Sequence, residues 1–191
     1  MDSIKKQVVL ASKSPRRKEL LEKFNIDFIV DPSNSDEDID FESDFECYVI
    51  KIAELKCMEV AKRYSNSIIV SSDTIVVHND TILTKPTDRK SAREMLEKLS
   101  GNTHLVYTSI FVFDQAKNKK LYECVTTKVL FFDLTDKEID SYLDSSEPYD
   151  KAGAYGIQGI GARFVKNIEG CFYSVMGFPI SRFIRMIEQL I

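Results

Sequence analysis

The sequence predicts a mixed α/β fold, with one elongated sheet flanked by helices on both faces. Short apolar runs typical of buried strands alternate along the chain with stretches of helical periodicity. In the second half, residues 105–114 and 121–132 form two long strand patterns joined around Lys117-Asn118, as in an antiparallel hairpin. With 191 residues, 43% hydrophobic and 29% charged, the chain matches a single globular domain over residues 1–191.

The first half of the chain contains three strand patterns and two helix patterns. Ser14 is expected to cap a helix that begins at Pro15 and carries Leu20, Leu21 and Phe24. An acidic loop is expected over residues 31–46. The remaining predicted elements are strands at 8–11, 28–30 and 68–77 and a helix at 45–64.

The second half adds a hairpin partner, three helices and a last strand to the two long strands. His78-Asn79-Asp80 predicts a turn into a short strand around 82–83. Thr135 and Glu138 have capping-box spacing and predict the start of a short helix. The other predicted elements are helices at 87–99 and 179–191 and a strand at 164–168.

Composition excludes several classes of protein. Lys and Arg number 26 against 30 Asp and Glu, and this net charge of −4 argues against non-specific binding to nucleic acid, which requires a basic face. No stretch approaches the ~20 apolar residues of a membrane helix, and the first residues do not resemble a secretion signal. The four cysteines show neither CxxC nor zinc-ligand spacing and indicate free thiols in a reducing cytoplasm.

Two arginines in the first turn of a helix suggest a phosphate site. Arg16 and Arg17 oppose the positive end of the helix dipole, which is unfavourable unless an anion lies nearby. Ser12 ends the preceding strand, so strand end and helix start together form a plausible phosphate cradle. The alternative is a solvated basic turn at the surface.

Asp73 interrupts the most apolar strand, where a carboxylate must be paired, hydrogen-bonded or bound to a metal. The structural alternative is an aspartate that accepts backbone N–H bonds at a strand end. Lys56 follows Ile52 at helical spacing and therefore turns toward the buried face, where it either reaches outward or enters a polar cavity. Lys85 precedes a proline and lies in an extended loop, which by itself is also typical of a surface lysine.

Four of the seven glycines fall between residues 153 and 161, without the order of a dinucleotide-binding motif or a P-loop. Glycines would let the backbone approach a ligand closely, with Tyr155 and Gln158 offering stacking and amide contacts. The alternative is a compact loop with positive φ angles.

Cations and acids of these types suit a polyphosphate substrate with a divalent metal. Phosphates would be held by the four cations Arg16, Arg17, Lys56 and Lys85. The two acids Glu37 and Asp73 would bind Mg²⁺ or Mn²⁺ and activate water. The residues alone therefore indicate hydrolysis of a phosphate ester or anhydride.

The order of these motifs resembles the Maf family of nucleoside triphosphate pyrophosphatases over nearly the whole chain. The opening run LASKSPRR resembles the family signature, and DKAGAYGIQG near residue 150 resembles a later block. The likeness also includes Tyr48-Val49 to Lys56, Ser72-Asp73-Thr74-Ile75-Val76, Lys85-Pro86, Met95-Leu96 to Leu99-Ser100-Gly101, and Gly177-Phe178-Pro179.

The resemblance implies a fold similar to inosine triphosphatases, with two lobes around a central cleft, and in many members a homodimer. It implies metal-dependent hydrolysis of a nucleoside triphosphate to the monophosphate and pyrophosphate. Asp73 would be the proton acceptor and a metal ligand, and Glu37, with Asp36 as the alternative, the second carboxylate. Four residues would contact phosphates: Ser12, Arg16, Lys56 and Lys85. Arg16, Thr74 and Gln158 match positions associated with substrate choice, and Arg17 lies beside them.

Within the family, Ala-Tyr-Gly-Ile-Gln-Gly resembles the branch that acts on dTTP and UTP, and modified pyrimidine nucleotides would be further substrates. The amide of Gln158 both donates and accepts, which suits the O4 and N3 edge of uracil or thymine. One alternative is the same reaction on 7-methylguanosine triphosphate, for which the family has a glutamate at this position. The other is a nucleotide-binding regulator of cell division that does not turn its ligand over. The chain departs from the common pattern at Thr84, at Ser71-Ser72 and at Cys171-Phe172.

Overall fold

The computed structural model describes residues 6–35, 39–41 and 44–190. Within these ranges the strands are β1 (Gln7–Leu10), β2 (Phe28–Val30), β3 (Ser67–His78), β4 (Thr81–Leu83), β5 (Thr103–Asp114), β6 (Lys119–Phe131) and β7 (Val165–Glu169). The helices are α1 (Pro15–Lys23), α2 (Phe45–Ala61), α3 (Arg89–Leu99), α4 (Asp136–Leu143), α5 (Phe172–Val175) and α6 (Ile180–Glu188). Short 3₁₀ segments at Glu147–Asp150, Ala152–Ala154 and Ile160–Phe164 lie between α4 and β7.

The described strands form one mixed sheet of seven strands. Its order is β2-β1-β3-β5-β6-β7, and β4 pairs with β3 off this path. Strand β1 runs parallel to both β2 and β3, with Leu10 opposite Val30 and Val70. The β3–β4 and β6–β7 pairs are antiparallel. The predicted mixed α/β class, a sheet accompanied by helices, is therefore confirmed.

The chain divides into two compact units. Unit 1 comprises Met1–Asp73, Thr108–Val125 and Gly177–Ile191, and unit 2 comprises Thr74–Tyr107 and Thr126–Met176. The single domain over residues 1–191 that the sequence suggests stays a prediction.

In unit 1, helix α2 packs on the sheet through small side chains. Its N-cap Asp44 accepts hydrogen bonds from the backbone N–H groups of Glu46 and Cys47, which fixes where the helix begins. Small residues on its buried face allow a close approach to the strands. The resulting core cluster contains Val9, Ala11, Ala53, Cys57, Val60, Ala61, Ile69, Phe111 and Phe113.

In unit 2, a buried aromatic group forms part of the core. His104 is 1% exposed, and its Nε2 lies 2.8 Å from the Tyr155 hydroxyl. Phe131 packs edge-on against both rings. Burial lowers the pKa of His104 to about 3, with a smaller contribution from His78, so the ring is neutral at pH 7.

Most predicted elements are confirmed, with shifted ends. The turn at Asn79-Asp80 has positive φ at both residues, as a tight hairpin turn requires, and the Thr135 capping box opens α4 as expected. The placement of Phe24 within the first helix is wrong: α1 ends at Lys23, and Phe24 follows as its C-cap with 37% of its surface exposed.

Among the described residues, no helix combines the length and the apolar character that crossing a membrane requires.

Candidate active site

Lys56 and Asp73, both predicted to be site residues, form a buried ion pair in unit 1. Lys56 Nζ donates to Asp73 Oδ1 at 2.7 Å, and the side chains are 9% and 13% exposed. The sequence left open whether Lys56 reaches outward or inward, and the structure places it inward. The partner that makes burial of Asp73 tolerable is a cation, as a buried carboxylate requires.

Hydroxyl groups of strand serines hold α2 against the sheet and thereby aim Lys56. Ser71 Oγ donates to the Ala53 carbonyl at 2.5 Å, and Ser109 Oγ donates to the Val49 carbonyl at 2.7 Å. Both serines are fully buried. Because Lys56 lies about one turn after Ala53 on the same helix face, the close approach at Ala53 directs the lysine toward β3.

Ser12 and Arg17 form a second polar cluster in unit 1, where β1 leads into α1. Ser12 Oγ accepts hydrogen bonds from Ser14 N at 3.2 Å and from an Arg17 terminal nitrogen at 3.0 Å. Arg17 Nε also donates to the Gly177 carbonyl at 2.9 Å. Arg16, the preceding residue in the first turn of α1, is half-buried. The predicted contacts of Ser12, Arg16 and Arg17 with phosphate stay predictions.

Three predicted substrate residues belong to unit 2. Thr74 is half-buried on β3, and Lys85 is exposed in the segment between β4 and α3. The Gly153 N–H donates to the carbonyl of Thr84 at 3.2 Å, which ties the Lys85 segment to the start of the glycine-rich stretch. Gly153 has a φ of +69°, and a Cβ there would lie 3.0 Å from a Val76 methyl. The conformation of Gly153 therefore agrees with the alternative considered for the glycine-rich stretch, a compact loop with positive φ angles.

Gln158 lies exposed in a turn over residues 156–159 that the Gly159 N–H closes onto the Gly156 carbonyl at 3.3 Å. Because the side chain is exposed, a ligand can reach it. Its predicted contact with substrate stays a prediction.

Three of the other glycines in this stretch have a reason that sequence reasoning did not find. A Cβ at Gly156 or Gly159 would lie 2.9 Å or 2.2 Å from an oxygen of Glu147, and a Cβ at Gly161 would lie 2.8 Å from the Tyr142 hydroxyl. At Gly156 the Cβ would also lie 2.7 Å from Lys151 Cε, so the backbone closes on three protein side chains, which is a packing requirement separate from any ligand.

Of the expected metal ligands, the described residues include Asp73. Glu37 and its alternative Asp36 lie outside the described residues, and within those residues no group of three His, Cys, Asp or Glu side chains could hold a metal ion. Mg²⁺ is commonly held by one or two carboxylates together with substrate phosphates. The carboxylate of Asp73 is a hard oxygen donor, so its chemistry fits such an ion.

Sequence reasoning missed the polar contacts that brace this region of unit 1. Ser72 is fully buried, and its hydroxyl lies 2.7 Å from the Ser109 carbonyl and 2.9 Å from the Gly177 carbonyl. The departure from the common family pattern at Ser71-Ser72 thus supplies two structural hydroxyls beside Asp73. Two adjacent serines in an otherwise apolar strand are the signal that could have revealed them.

Comparisons with known proteins found two curated relatives that share one name and a solved structure of lower similarity. A protein of Clostridium perfringens (strain SM101 / Type A) named dTTP/UTP pyrophosphatase is 46% identical over 185 residues, covering 96% of each chain. A protein of Bacillus cereus (strain G9842) with the same name is 46% identical over 184 residues, covering 96% of this chain and 95% of the relative. The solved Ham1 protein of Staphylococcus aureus is 16% identical, with a TM-score of 0.46 over 67% of this chain and 73% of its own.

The family model described as Maf-like protein matches residues 7–190, which is nearly the whole chain. This match and the curated relatives agree with the resemblance that the sequence motifs carry. The chain belongs to the family of Maf-like proteins.

Proposed function

We propose that this protein hydrolyses dTTP and UTP to the nucleoside monophosphate and pyrophosphate. The observation that carries the proposal is the buried Lys56–Asp73 pair, in a chain 46% identical over 96% of its length to a protein named dTTP/UTP pyrophosphatase. The pair joins a proton acceptor to a cation, and attack of water on a phosphoanhydride needs both.

The proposed reaction uses Asp73 as the general base. A water oxygen attacks the α-phosphorus while Asp73 accepts the proton that this water loses. The bond between the α-phosphorus and the bridging oxygen to the β-phosphate breaks, and pyrophosphate leaves with the electron pair. In-line displacement of this kind depends mainly on stabilisation of the charge that develops on the phosphate oxygens.

Cations supply this stabilisation in the proposal. Arg16, Arg17 and Lys56 would hold phosphate oxygens, with Lys85 as a fourth cation and the Ser12 hydroxyl as a donor. Asp73 and Glu37 would hold Mg²⁺ or Mn²⁺, which when bound supplies further positive charge to the triphosphate.

Substrate choice is assigned to Arg16, Thr74 and Gln158. The amide of Gln158 donates from its nitrogen and accepts at its oxygen, so one side chain can pair with both O4 and N3–H of uracil or thymine. Its exposed position in a turn supports a contact with a ligand from solution. A carboxylate there would favour the cationic ring of 7-methylguanine, so Gln158→Glu is expected to weaken the use of UTP and dTTP.

The test is pyrophosphate release from dTTP, UTP, CTP and 7-methylguanosine triphosphate with Mg²⁺ or Mn²⁺. Asp73→Asn should abolish release while UTP still binds. Asp114→Asn is the matched control, because Asp114 is a buried carboxylate of unit 1 that also pairs with a lysine, with Lys6 Nζ at 2.7 Å, and this variant should retain activity. Preference for the methylated purine would overturn the substrate assignment. Tight UTP binding without release, or wild-type activity in Asp73→Asn, would overturn the reaction.

Two further features belong to this proposal. A cytoplasmic location is supported by four cysteines that are all free in the structure. A homodimer is supported by the family resemblance, and light scattering on the purified protein tests it.

A further inference from the structure

The Glu147 carboxylate lies at the centre of the glycine-rich loop in unit 2. One of its oxygens accepts from the Ile160 N–H at 2.7 Å, and the other accepts from the Gly161 N–H at 3.0 Å and the Tyr142 hydroxyl at 2.9 Å. Three donors from two separate parts of the chain therefore converge on one carboxylate. Such charge-assisted bonds are stronger than those between neutral groups.

The same network reaches both ends of the turn that carries Gln158. The Tyr142 hydroxyl, which donates to Glu147, also accepts from the Gly156 N–H at 3.2 Å, where the turn begins. Ile160 and Gly161 follow the turn directly and begin the 3₁₀ segment Ile160–Phe164. The carboxylate satisfies the first N–H groups of this segment, as a helix cap does.

Space as well as hydrogen bonding fixes this arrangement. The closest approach is at Gly159, where a Cβ would lie 2.2 Å from a Glu147 oxygen, so no side chain fits between the turn and the carboxylate. Burial opposes ionisation of Glu147, but the bonds from Gly161, Ile160 and Tyr142 outweigh it and lower the pKa of the carboxyl. The group is thus an anion at neutral pH, and it accepts without competing donors of its own.

We infer that Glu147 is a positioning residue for substrate choice, because its carboxylate sets the conformation of the turn that presents the Gln158 amide. The inference rests on the proposed function, since it gives Gln158 the role of contacting the pyrimidine. Glu147 itself acts through the backbone at Gly156, Ile160 and Gly161. A fixed turn holds the donor and acceptor of Gln158 in place for the base before substrate binds.

Glu147→Gln separates this role from simple packing. The amide has nearly the same shape, but its NH₂ group cannot accept, so whichever way it turns it faces at least one backbone N–H. In the free protein, the Ile160 and Gly161 amides should exchange hydrogen about tenfold faster than in wild type, while amides of β5 exchange at the wild-type rate. Glu169→Gln is the matched control, because Glu169 on β7 pairs with Lys128 on β6 and its replacement makes the same charge change. Unchanged exchange at both amides would overturn the inference.

A double-mutant cycle tests whether Glu147 acts through Gln158. The probe is the non-hydrolysable analogue α,β-imido-UTP with Mg²⁺, with Kd measured by calorimetry. Glu147→Gln should weaken binding about tenfold in the wild-type background and less than about twofold in the Gln158→Ala background. In turnover the same change should raise KM for UTP with kcat nearly constant. Tyr142→Phe, which removes one of the three donors, should behave in the same direction and serves if Glu147→Gln folds poorly.

The outcomes distinguish failure of this inference from failure of the proposed function. Equal weakening in both backgrounds would show that Glu147 supports the fold without positioning Gln158, and would overturn the inference while pyrophosphate release stands. A Gln158→Ala variant that binds the analogue like wild type would overturn the role of both residues in substrate choice. A wild-type protein that neither binds the analogue nor releases pyrophosphate would overturn the proposed function, and the positioning role with it.

Discussion

Replacing Lys56 by methionine removes the cation that lies against the buried carboxylate of Asp73. At 2.7 Å and an effective dielectric constant of about 20, Coulomb's law gives roughly 6 kcal/mol of attraction, part of which offsets the desolvation of the two charges. Breaking a buried pair by removing one partner typically costs about 3–5 kcal/mol. Because the two side chains are 9% and 13% exposed, we expect Lys56→Met to reduce the free energy of unfolding by an amount in this range.

The double variant Lys56→Met/Asp73→Asn makes this expectation specific. It removes the buried charge together with its partner, so it should be more stable than Lys56→Met alone. For two independent substitutions, the losses in the free energy of unfolding would instead add. Urea unfolding followed by far-UV circular dichroism measures all four proteins, and it suits a chain that contains no tryptophan. A double variant less stable than either single variant, with additive losses, would refute the coupling between Lys56 and Asp73.

Three further predictions concern stability. His104 is neutral in the folded state because burial lowers its pKa to about 3. Its contribution to the stability of the folded state is therefore present above pH ~6.5 and is lost as the pH falls toward 3. His104→Gln should flatten the dependence of the urea midpoint on pH in this window, and an unchanged slope would contradict this prediction. Gly159→Ala should lower the free energy of unfolding by about 1–3 kcal/mol, because its Cβ would collide with Glu147, and a thermal melt like that of wild type would argue against the packing described. Ser72→Ala should cost about 1 kcal/mol in urea unfolding, because the Ser109 and Gly177 carbonyls lose a hydroxyl donor that lies within reach of both. A stabilised variant would show that this hydroxyl contributes nothing.

The strands and helices could be predicted because their signals are local. The apolar run at residues 8–11, the hairpin turn at Asn79-Asp80 and the capping box at Thr135 each depend on a few neighbouring residues, and all three appear in the structure. Phe24 was assigned to the first helix because periodicity does not show where a helix ends. The α1 helix stops one residue earlier, which leaves the ring exposed.

The candidate site could be predicted only in part. Helical spacing turned Lys56 inward, but its partner Asp73 lies 17 positions away, and pairing over such a distance depends on how α2 docks against β3. For the glycines, the sequence showed the residues but not the contacts that require them. Their number was visible, yet the side chains that an added Cβ would meet belong to Tyr142, Glu147 and Lys151, which stand earlier in the chain, and no local rule connects them to the glycines.

The loop built around Glu147 constrains how this protein can diverge from its relatives. Its framework positions depend on one another, since a methyl group added at Gly156 or Gly159 meets the carboxylate and one added at Gly161 meets the Tyr142 hydroxyl. Gln158, by contrast, is exposed. We therefore expect sequence drift to be tolerated at position 158 far more readily than at its neighbours, so that a new nucleotide preference can arise by a single substitution on an unchanged scaffold.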